Sequence, residues 1–323
     1  MLWEPNDPGR VLDERFGFGD PESAGRWVAA KLDEHWGVRI DSCERIVMSD
    51  SNALAWVGTP MGRLIAKWSV APERFPRLAA MARLTHWLDG QELPVSAPVP
   101  SLDGRLQVEV ESVSMGVQRA IRSELLDTAD PDQVHASGAV LAQLHDALSA
   151  YPDAAQVVSP DGPSGLLAAR ITDWLDSASD RLPSDACNAL RELAAAAPPE
   201  TLPTQLVHGD FRSANILCAG GRVIAVIDFE EARLDHRVVE LARSAVMLGT
   251  RFRNWGPVSS DVRAGFLAGY ESVRKLTPVE MHWWDILVVW HGLALVSPAG
   301  DPTGWGHSAL DHLARISPKF ACQ

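Results

Sequence analysis

Lysine is scarce. The 323-residue chain has only Lys31, Lys67, Lys275 and Lys319, and arginine supplies the rest of its 29 basic residues. Acidic residues number 42, which sets the formal net charge at −13. Proteins that hold a phosphate backbone do so with clustered Lys and Arg, so this balance argues against nucleic acid as a partner. Acidity of this size serves solubility and is compatible with a cationic small molecule. Cysteine is sparse too. Cys43, Cys187, Cys218 and Cys322 are scattered, and no pair has the C-x-x-C spacing of a zinc or redox motif. They read as reduced thiols in a cytoplasmic protein. Long apolar runs are missing: Ile224–Ile227 and Ile286–Trp290 fall far short of the ~20 residues of a membrane helix. Met1-Leu2-Trp3-Glu4-Pro5-Asn6-Asp7 has neither the basic nor the apolar region of a signal peptide. Internal repeats and low-complexity segments are likewise missing.

What is there is an ordinary globular balance, 46% hydrophobic and 22% charged. The length exceeds one average domain, so one large domain or two lobes is expected. Asp20–Trp36 reads as a helix, with Asp20 as cap, Pro21 in the first turn and Gly37 at the end. Strands are expected at Ser42–Met48, Ala53–Val57 and Arg63–Ser69, with Thr59-Pro60-Met61-Gly62 as the turn between the last two. Pro72–Leu88 has helical spacing. Val95–Val99 and Arg105–Val110 read as strands around an Asp103-Gly104 turn. The second half is mainly helical: Asp132–Ala147, Leu166–Ala178, Ser184–Ala196, Val238–Gly249, Ser260–Val273 and Pro278–Val296. One small β insert interrupts it, from Thr204–Val207 and Arg222–Ile227. A sheet-plus-helix lobe thus precedes a helical lobe, and clefts between lobes are where ligands bind.

The chemistry-bearing stretch lies in that insert. Leu206-Val207-His208-Gly209-Asp210 ends an apolar strand and enters a loop. Asn215 follows Asp210 by five residues, and Ile227-Asp228-Phe229 ends the next apolar strand. Phosphoryl transfer needs these residue types in this order. One carboxylate takes the proton of the attacking hydroxyl. A second carboxylate and an amide oxygen suit magnesium, a hard cation that prefers oxygen ligands and retains waters. A capping loop beside a buried strand is the bland alternative.

His208-Gly209-Asp210-x-x-x-x-Asn215 with Ile227-Asp228-Phe229 resembles the aminoglycoside phosphotransferase and choline kinase family, relatives of the protein kinases. Protein kinases carry H-R-D and D-F-G at these places and an A-P-E segment afterwards. Gly209, Glu230 and the lack of A-P-E place the resemblance on the small-molecule branch. It implies that Asp210 is the catalytic base, that Asn215 and Asp228 hold magnesium, and that His208 supports the loop. Leu141-Ala142-Gln143-Leu144-His145 matches a family pattern in which His145 packs or hydrogen-bonds. Glu240-Leu241-Ala242 matches a helix that ordinarily begins with Asp, and Glu240 is expected to hydrogen-bond the catalytic loop. A plain helix N-terminal acid is the other reading of Glu240.

The first lobe matches less closely. Lys67, in Arg63-Leu64-Ile65-Ala66-Lys67-Trp68-Ser69, suits the strand lysine that touches the nucleotide's α- and β-phosphates, although an edge-strand gatekeeper has the same pattern. Its expected glutamate partner is not in the middle of the following helix, and Glu73 is the nearest candidate. The phosphate-covering loop falls at Met48–Ala53, which has no glycine. Ser51 and Asn52 are its candidate phosphate contacts. The hinge that would bind the base through backbone groups falls in Val108–Gln118. On the acceptor side, Glu230, Glu231 and Asp235 could meet a cationic substrate or form a solvated acidic loop. Trp283, Trp284, Trp290, His291 and Trp305 suit core packing, with some available to line a pocket.

The expectation is therefore an α+β, two-lobed, protein-kinase-like fold: a small antiparallel-sheet lobe over 1–112 and a larger, mainly helical lobe over 113–323. The expected function is ATP- and Mg2+-dependent phosphorylation of a small-molecule hydroxyl, with GTP an alternative donor. The acceptor would be an antibiotic such as an aminoglycoside or macrolide, or a metabolite such as homoserine, choline or a sugar. Neither nucleic acid nor membrane is an expected partner. The alternative is a pseudokinase or nucleotide-binding regulatory module, motivated by the missing helix glutamate and the glycine-poor loop.

Overall fold

The computed structural model describes residues 7–157, 165–178, 182–198, 202–252 and 255–316; Cys322 lies outside them. The chain divides into two compact units, Met1–Arg122 and Ser123–Gln323.

In the first unit, α1 (Pro8–Phe16) and α2 (Pro21–Trp36) precede the sheet. The start of α2 is fixed by Asp20, which accepts from the Ser23 N–H while the Ser23 hydroxyl answers the Asp20 backbone, and Gly37 closes the helix in the left-handed region. The strands β1 (Ser42–Met48), β2 (Asn52–Thr59), β3 (Gly62–Ser69), β4 (Val108–Val110) and β5 (Val113–Arg119) form one antiparallel sheet in the order β1-β2-β3-β5-β4. Alternation puts Ala53, Ala55 and Val57 of β2, Leu64, Ala66 and Trp68 of β3, and Met115 and Val117 of β5 into one core. Val28, Leu32 and Trp36 of α2 belong to the same core. Helix α3 (Phe75–Gly90) follows a 3-10 turn at Pro72–Arg74.

Two expectations are corrected here. Val95–Val99 is not a strand: it meets β5 through the isolated bridge of Pro98 with Gln118, the Val99 N–H on the Val117 carbonyl at 2.7 Å and the Gln118 side chain on the Ser96 carbonyl at 3.1 Å. The partner of β4 is β5, across a turn in which Glu111 takes φ 56°. Because β5 also pairs with β3 from Leu64–Arg119 to Ser69–Ser114, residues 113–119 belong to the first unit. The boundary falls at Arg122 rather than at 112, and Val108–Gln118 is a hairpin rather than a connection between lobes.

The second unit has helices α4 (Pro131–Ser149), α5 (Ala154–Val157), α6 (Leu167–Ala178), α7 (Ser184–Ala196), α8 (Arg237–Met247), α9 (Ser260–Val273), α10 (Pro278–Ala294) and α11 (Trp305–Ile316). Its strands are β6 (Glu124–Leu125), β7 (Thr204–Val207), β8 (Ile216–Ala219), β9 (Arg222–Val226) and β10 (Arg233–His236). The expected single insert is two small sheets: β7 pairs with β10, and β8 lies between β6 and β9. Helices α4 and α9 cross closely because glycine sits at the crossing. A Cβ on Gly138 would run into the Phe266 carbonyl, and one on Gly269 into the His135 carbonyl. The class is α+β. Among the described residues no helix is long and apolar enough to cross a membrane.

Candidate active site

β7 runs through the core, with Leu206 and Val207 buried, and delivers the chain to His208. Gly209 then turns with φ +86°, and a Cβ there would collide with the Glu231 carbonyl. Only glycine fits this position, which gives the second letter of the H-G-D motif a steric cause.

His208 is fully buried. Its Nδ1 accepts from the Asp210 N–H at 3.1 Å, so the proton sits on Nε2, which donates to the Ile227 carbonyl at 3.1 Å. The Phe229 ring packs on the imidazole with centroids 4.4 Å apart. One side chain thereby sets the backbone of Asp210 and that of the residue preceding Asp228.

Asn215, nearly buried at the end of a 3-10 turn, has its amide nitrogen 2.8 Å from both the Asp210 carbonyl and Asp210 Oδ2. Only nitrogen can face two acceptors, so the amide orientation is fixed and Oδ1 is the atom left for a cation. Its backbone carbonyl accepts from the Ile227 N–H at 3.0 Å. Asp228 is exposed and takes φ 66°, ψ 65°, a left-handed conformation uncommon outside glycine, which aspartate tolerates better than most L-residues.

Glu240 lies beneath the loop, in the first turn of α8, and is 2% exposed. Oε2 accepts from the His208 N–H at 2.9 Å and from His145 Nε2 at 2.9 Å, while Oε1 accepts from the Gly209 N–H. His145, on α4, in turn meets the Tyr270 hydroxyl of α9 at 2.9 Å through Nδ1. Burial alone would raise the Glu240 carboxyl. The His145 hydrogen bond and charge, with the Gly209 N–H, outweigh burial and hold it at about 2. Tyr270 goes the other way, with burial pushing its hydroxyl upward. Three helices are thus tied to two backbone amides of the loop.

Arginines that the sequence reading passed over gather at Asp210. Arg212 Nε lies 3.0 and 2.9 Å from the two carboxylate oxygens. Arg243 Nη1 is 3.8 Å from Oδ1 and donates to the Gly209 carbonyl. Arg233 Nη1 reaches the same carbonyl at 3.3 Å. Asp235, expected to face a substrate, is instead buried. It is held by Arg170 at 2.9 and 3.3 Å and caps the His236 N–H. Its carboxylate joins β10 to α6 through Arg170. Glu230 is half-buried and Glu231 exposed, both on the 3-10 turn after Asp228.

In the first unit, Lys67 lies on β3 opposite Leu54 and Gly116 and is the only lysine in the five-stranded sheet. Glu73 is exposed on the 3-10 turn ahead of α3, and the only acid within α3 is Asp89, near its end. The β1–β2 turn is closed by Ser49 N–H to the Asn52 carbonyl at 2.8 Å. Ser51 Oγ accepts from Arg74 at 3.1 Å. Asn52 is buried within β2, so a phosphate would find Ser51 and backbone N–H groups there before the Asn52 amide. Among the described residues no cluster of three or more His, Cys, Asp or Glu is arranged to hold a metal. Asn215 and Asp228 together offer two side-chain oxygens, a number compatible with a magnesium ion held largely through phosphates and water.

The model of the phosphotransferase enzyme family matches residues 43–284. The chain belongs to this family. A homoserine kinase of Neisseria meningitidis serogroup B is 27% identical over 256 residues, covering 74% of this chain and 76% of that protein. Among solved structures, the macrolide 2'-phosphotransferase MphH of Brachybacterium faecium superposes with a TM-score of 0.63 at 17% identity, over 93% of this chain and 95% of that one. The amicoumacin kinase hAmiN, in complex with AMP-PNP, Ca2+ and amicoumacin, gives 0.57 at 13% identity, over 91% and 93%. At such identities the structural likeness speaks for the fold alone, which is the protein-kinase-like α+β fold of this family.

Proposed function

We propose that this family member transfers the γ-phosphoryl group of ATP to a hydroxyl of a small molecule. The observation that carries the reading is the tying of Asp210, Asn215 and the Asp228 turn into one hydrogen-bonded unit by His208 and Ile227. A carboxylate has about four lone-pair sites. Arg212 and Asn215 use three contacts of the Asp210 carboxylate, leaving one oxygen position for the acceptor hydroxyl. As that hydroxyl oxygen bonds to the γ-phosphorus, its proton passes to Asp210 and the bond from the γ-phosphorus to the β–γ bridging oxygen breaks, releasing ADP. Asn215 Oδ1 and the Asp228 carboxylate would hold magnesium, which would supply positive charge to offset that developing on the phosphates. Lys67 is the candidate contact for the α- and β-phosphates, and Ser51 lies in the turn expected to cover them. The AMP-PNP bound to the amicoumacin kinase supports a nucleotide donor.

The test is an ATP-consumption screen with magnesium over homoserine, choline, sugars, aminoglycosides and macrolides, repeated with GTP. Turnover on one acceptor class is the expected result. Stabilisation by nucleotide with no turnover on any hydroxyl would replace this reading with a nucleotide-binding module.

A further inference from the structure

Three guanidinium groups meet around the Gly209–Asp210 peptide, and a fourth, Arg170, adjoins them through Asp235. Arg233 and Arg243 both donate to the single Gly209 carbonyl. Arg212 lies on the Asp210 carboxylate, and its Nη1 is buried with no hydrogen-bond partner. Arg170 and Arg233 share Asp235, at 2.9 and 3.8 Å. Within this set four cations face three carboxylates, Asp210, Asp235 and the buried Glu240 beneath the loop, in a chain whose overall charge is −13. Each guanidinium has five donors; Arg233 also reaches the Glu231 carbonyl at 3.4 Å, while Arg212 Nη1 is the buried donor of this group that meets no acceptor. The crowding is felt by the neighbours. Burial first, and the charges of Arg233 and Arg212 with it, push Arg243 downward. Burial together with the charges of Arg243, Arg170 and Arg233 holds His291 neutral, with its pKa at about 3.

Partly desolvated like charges are costly unless an anion joins them. Arg243 and Arg233 remain 30% and 23% exposed in their side chains, so they are open to a ligand. Arg212 also overlies Trp255 at 5.7 Å. Trp255 lines an open depression of about 750 Å³ with Thr128, Gly249, Pro257 and Ser259.

Resting on the phosphotransferase reading, we propose that Arg243 and Arg233, with Arg212 beside them, bind the carboxylate of the acceptor. The substrate class is then a small hydroxy acid whose hydroxyl reaches Asp210 while its carboxylate takes the arginines, and not a polycationic aminosugar or choline. The forked geometry of guanidinium matches a carboxylate bidentately. A terminal phosphate of the nucleotide has the same charge, so the experiment must separate the two anions.

The full-length protein with magnesium and ATP is assayed on L-homoserine, L-threonine and 4-hydroxybutyrate. These are set against 3-amino-1-propanol and 1,4-butanediol, which keep a hydroxyl chain without the carboxylate, and against choline and kanamycin. Turnover on the acids, with Arg243→Gln raising the KM of the acid about 10- to 100-fold, the loss of one charge-assisted bond, and leaving the KM of ATP within about two-fold, is the expected result. Turnover confined to acceptors without an anionic group overturns the proposal and leaves the phosphotransferase reading standing. An Arg243→Gln effect on ATP alone also overturns it, assigning the arginines to the nucleotide. If nothing turns over, the phosphotransferase reading fails, and calorimetric titration of the three acids decides the anion site separately. Acid binding weakened by Arg243→Gln and Arg233→Gln keeps it; no acid binding removes it. Circular dichroism of both variants excludes loss of fold as the cause.

Discussion

Removing the Asp210 carboxylate leaves Asn215 still bonded to the backbone carbonyl of residue 210 and the His208 anchors in place, so the loop should keep its course. Asp210→Ala is therefore expected to lower kcat by about 10²- to 10⁴-fold, the usual worth of a positioned base, while thermal stabilisation by Mg-ATP persists. Turnover near the wild-type rate would remove Asp210 from the base's role. Glu240 makes a different prediction. Its folded pKa of about 2 lies below the ordinary glutamate value of 4.5. A depressed carboxyl contributes stability that is complete above the unfolded pKa and is lost as pH falls toward the folded one. The stability gap between wild type and Glu240→Gln should narrow by about 3 kcal/mol between pH 4.5 and 2. Urea unfolding across that range measures it, and a constant gap would mean that Glu240 is not held as a buried anion. The residues that make these predictions possible were legible because Asp210, Asn215 and Asp228 lie within one short stretch at informative spacings. The arginines around them were not. Arg170, Arg233 and Arg243 come from α6, β10 and α8, and Arg212 from the loop after β7, in an arginine-rich chain, and no periodicity distinguishes them from surface arginines.

Among the elements, legibility followed length and capping. Strand β1, helix α7 and helix α9 run over the residues the pattern indicated; α7 buries Ala186, Cys187, Ala189, Leu190 and Ala194 along one face, and α9 opens on the Ser259 cap. Helix α1 was missed: its sequence, PGRVLDERF, buries only Val11, Leu12 and Phe16, too few for a periodic signal. Strands β6, β8 and β10 have two to four residues each and exist through pairing that the local sequence cannot announce. The α4–α9 crossing is another long-range feature. Because Gly138 and Gly269 let backbone meet backbone there, Gly269→Ala should force the helices apart and destabilise the protein by about 1–3 kcal/mol. Since the same two helices carry His145 and Tyr270, the variant should also lower kcat. A Gly269→Ala protein with unchanged melting temperature and activity would show that the crossing relaxes without consequence.

For the molecule as a whole, the expectation is mass-action stabilisation by its donor. A ligand that binds only the folded state adds about 2.7 kcal/mol at a hundred-fold excess over Kd. Mg-ATP should accordingly raise the melting temperature by several degrees, and Asp228→Ala should abolish most of the magnesium-dependent part. No shift with any nucleotide would separate this chain from nucleotide chemistry despite its family. Glu73 at the head of α3, rather than within it, and the glycine-free β1–β2 turn make the first unit the place where such a failure would originate.

The isolation of Lys67 as the one amine of the five-stranded sheet has a chemical corollary. An acyl-phosphate derivative of ATP, which acylates a nearby lysine amine and leaves as ATP, would find few competing targets in so lysine-poor a protein. Trypsin does not cut after an acylated lysine, so labelling at Lys67 would fuse the peptide from Leu64 to Arg74 and give it a single mass tag. That one fragment, protected by excess ATP, would map the triphosphate onto β3; a tag at Lys275 instead would direct attention away from the sheet.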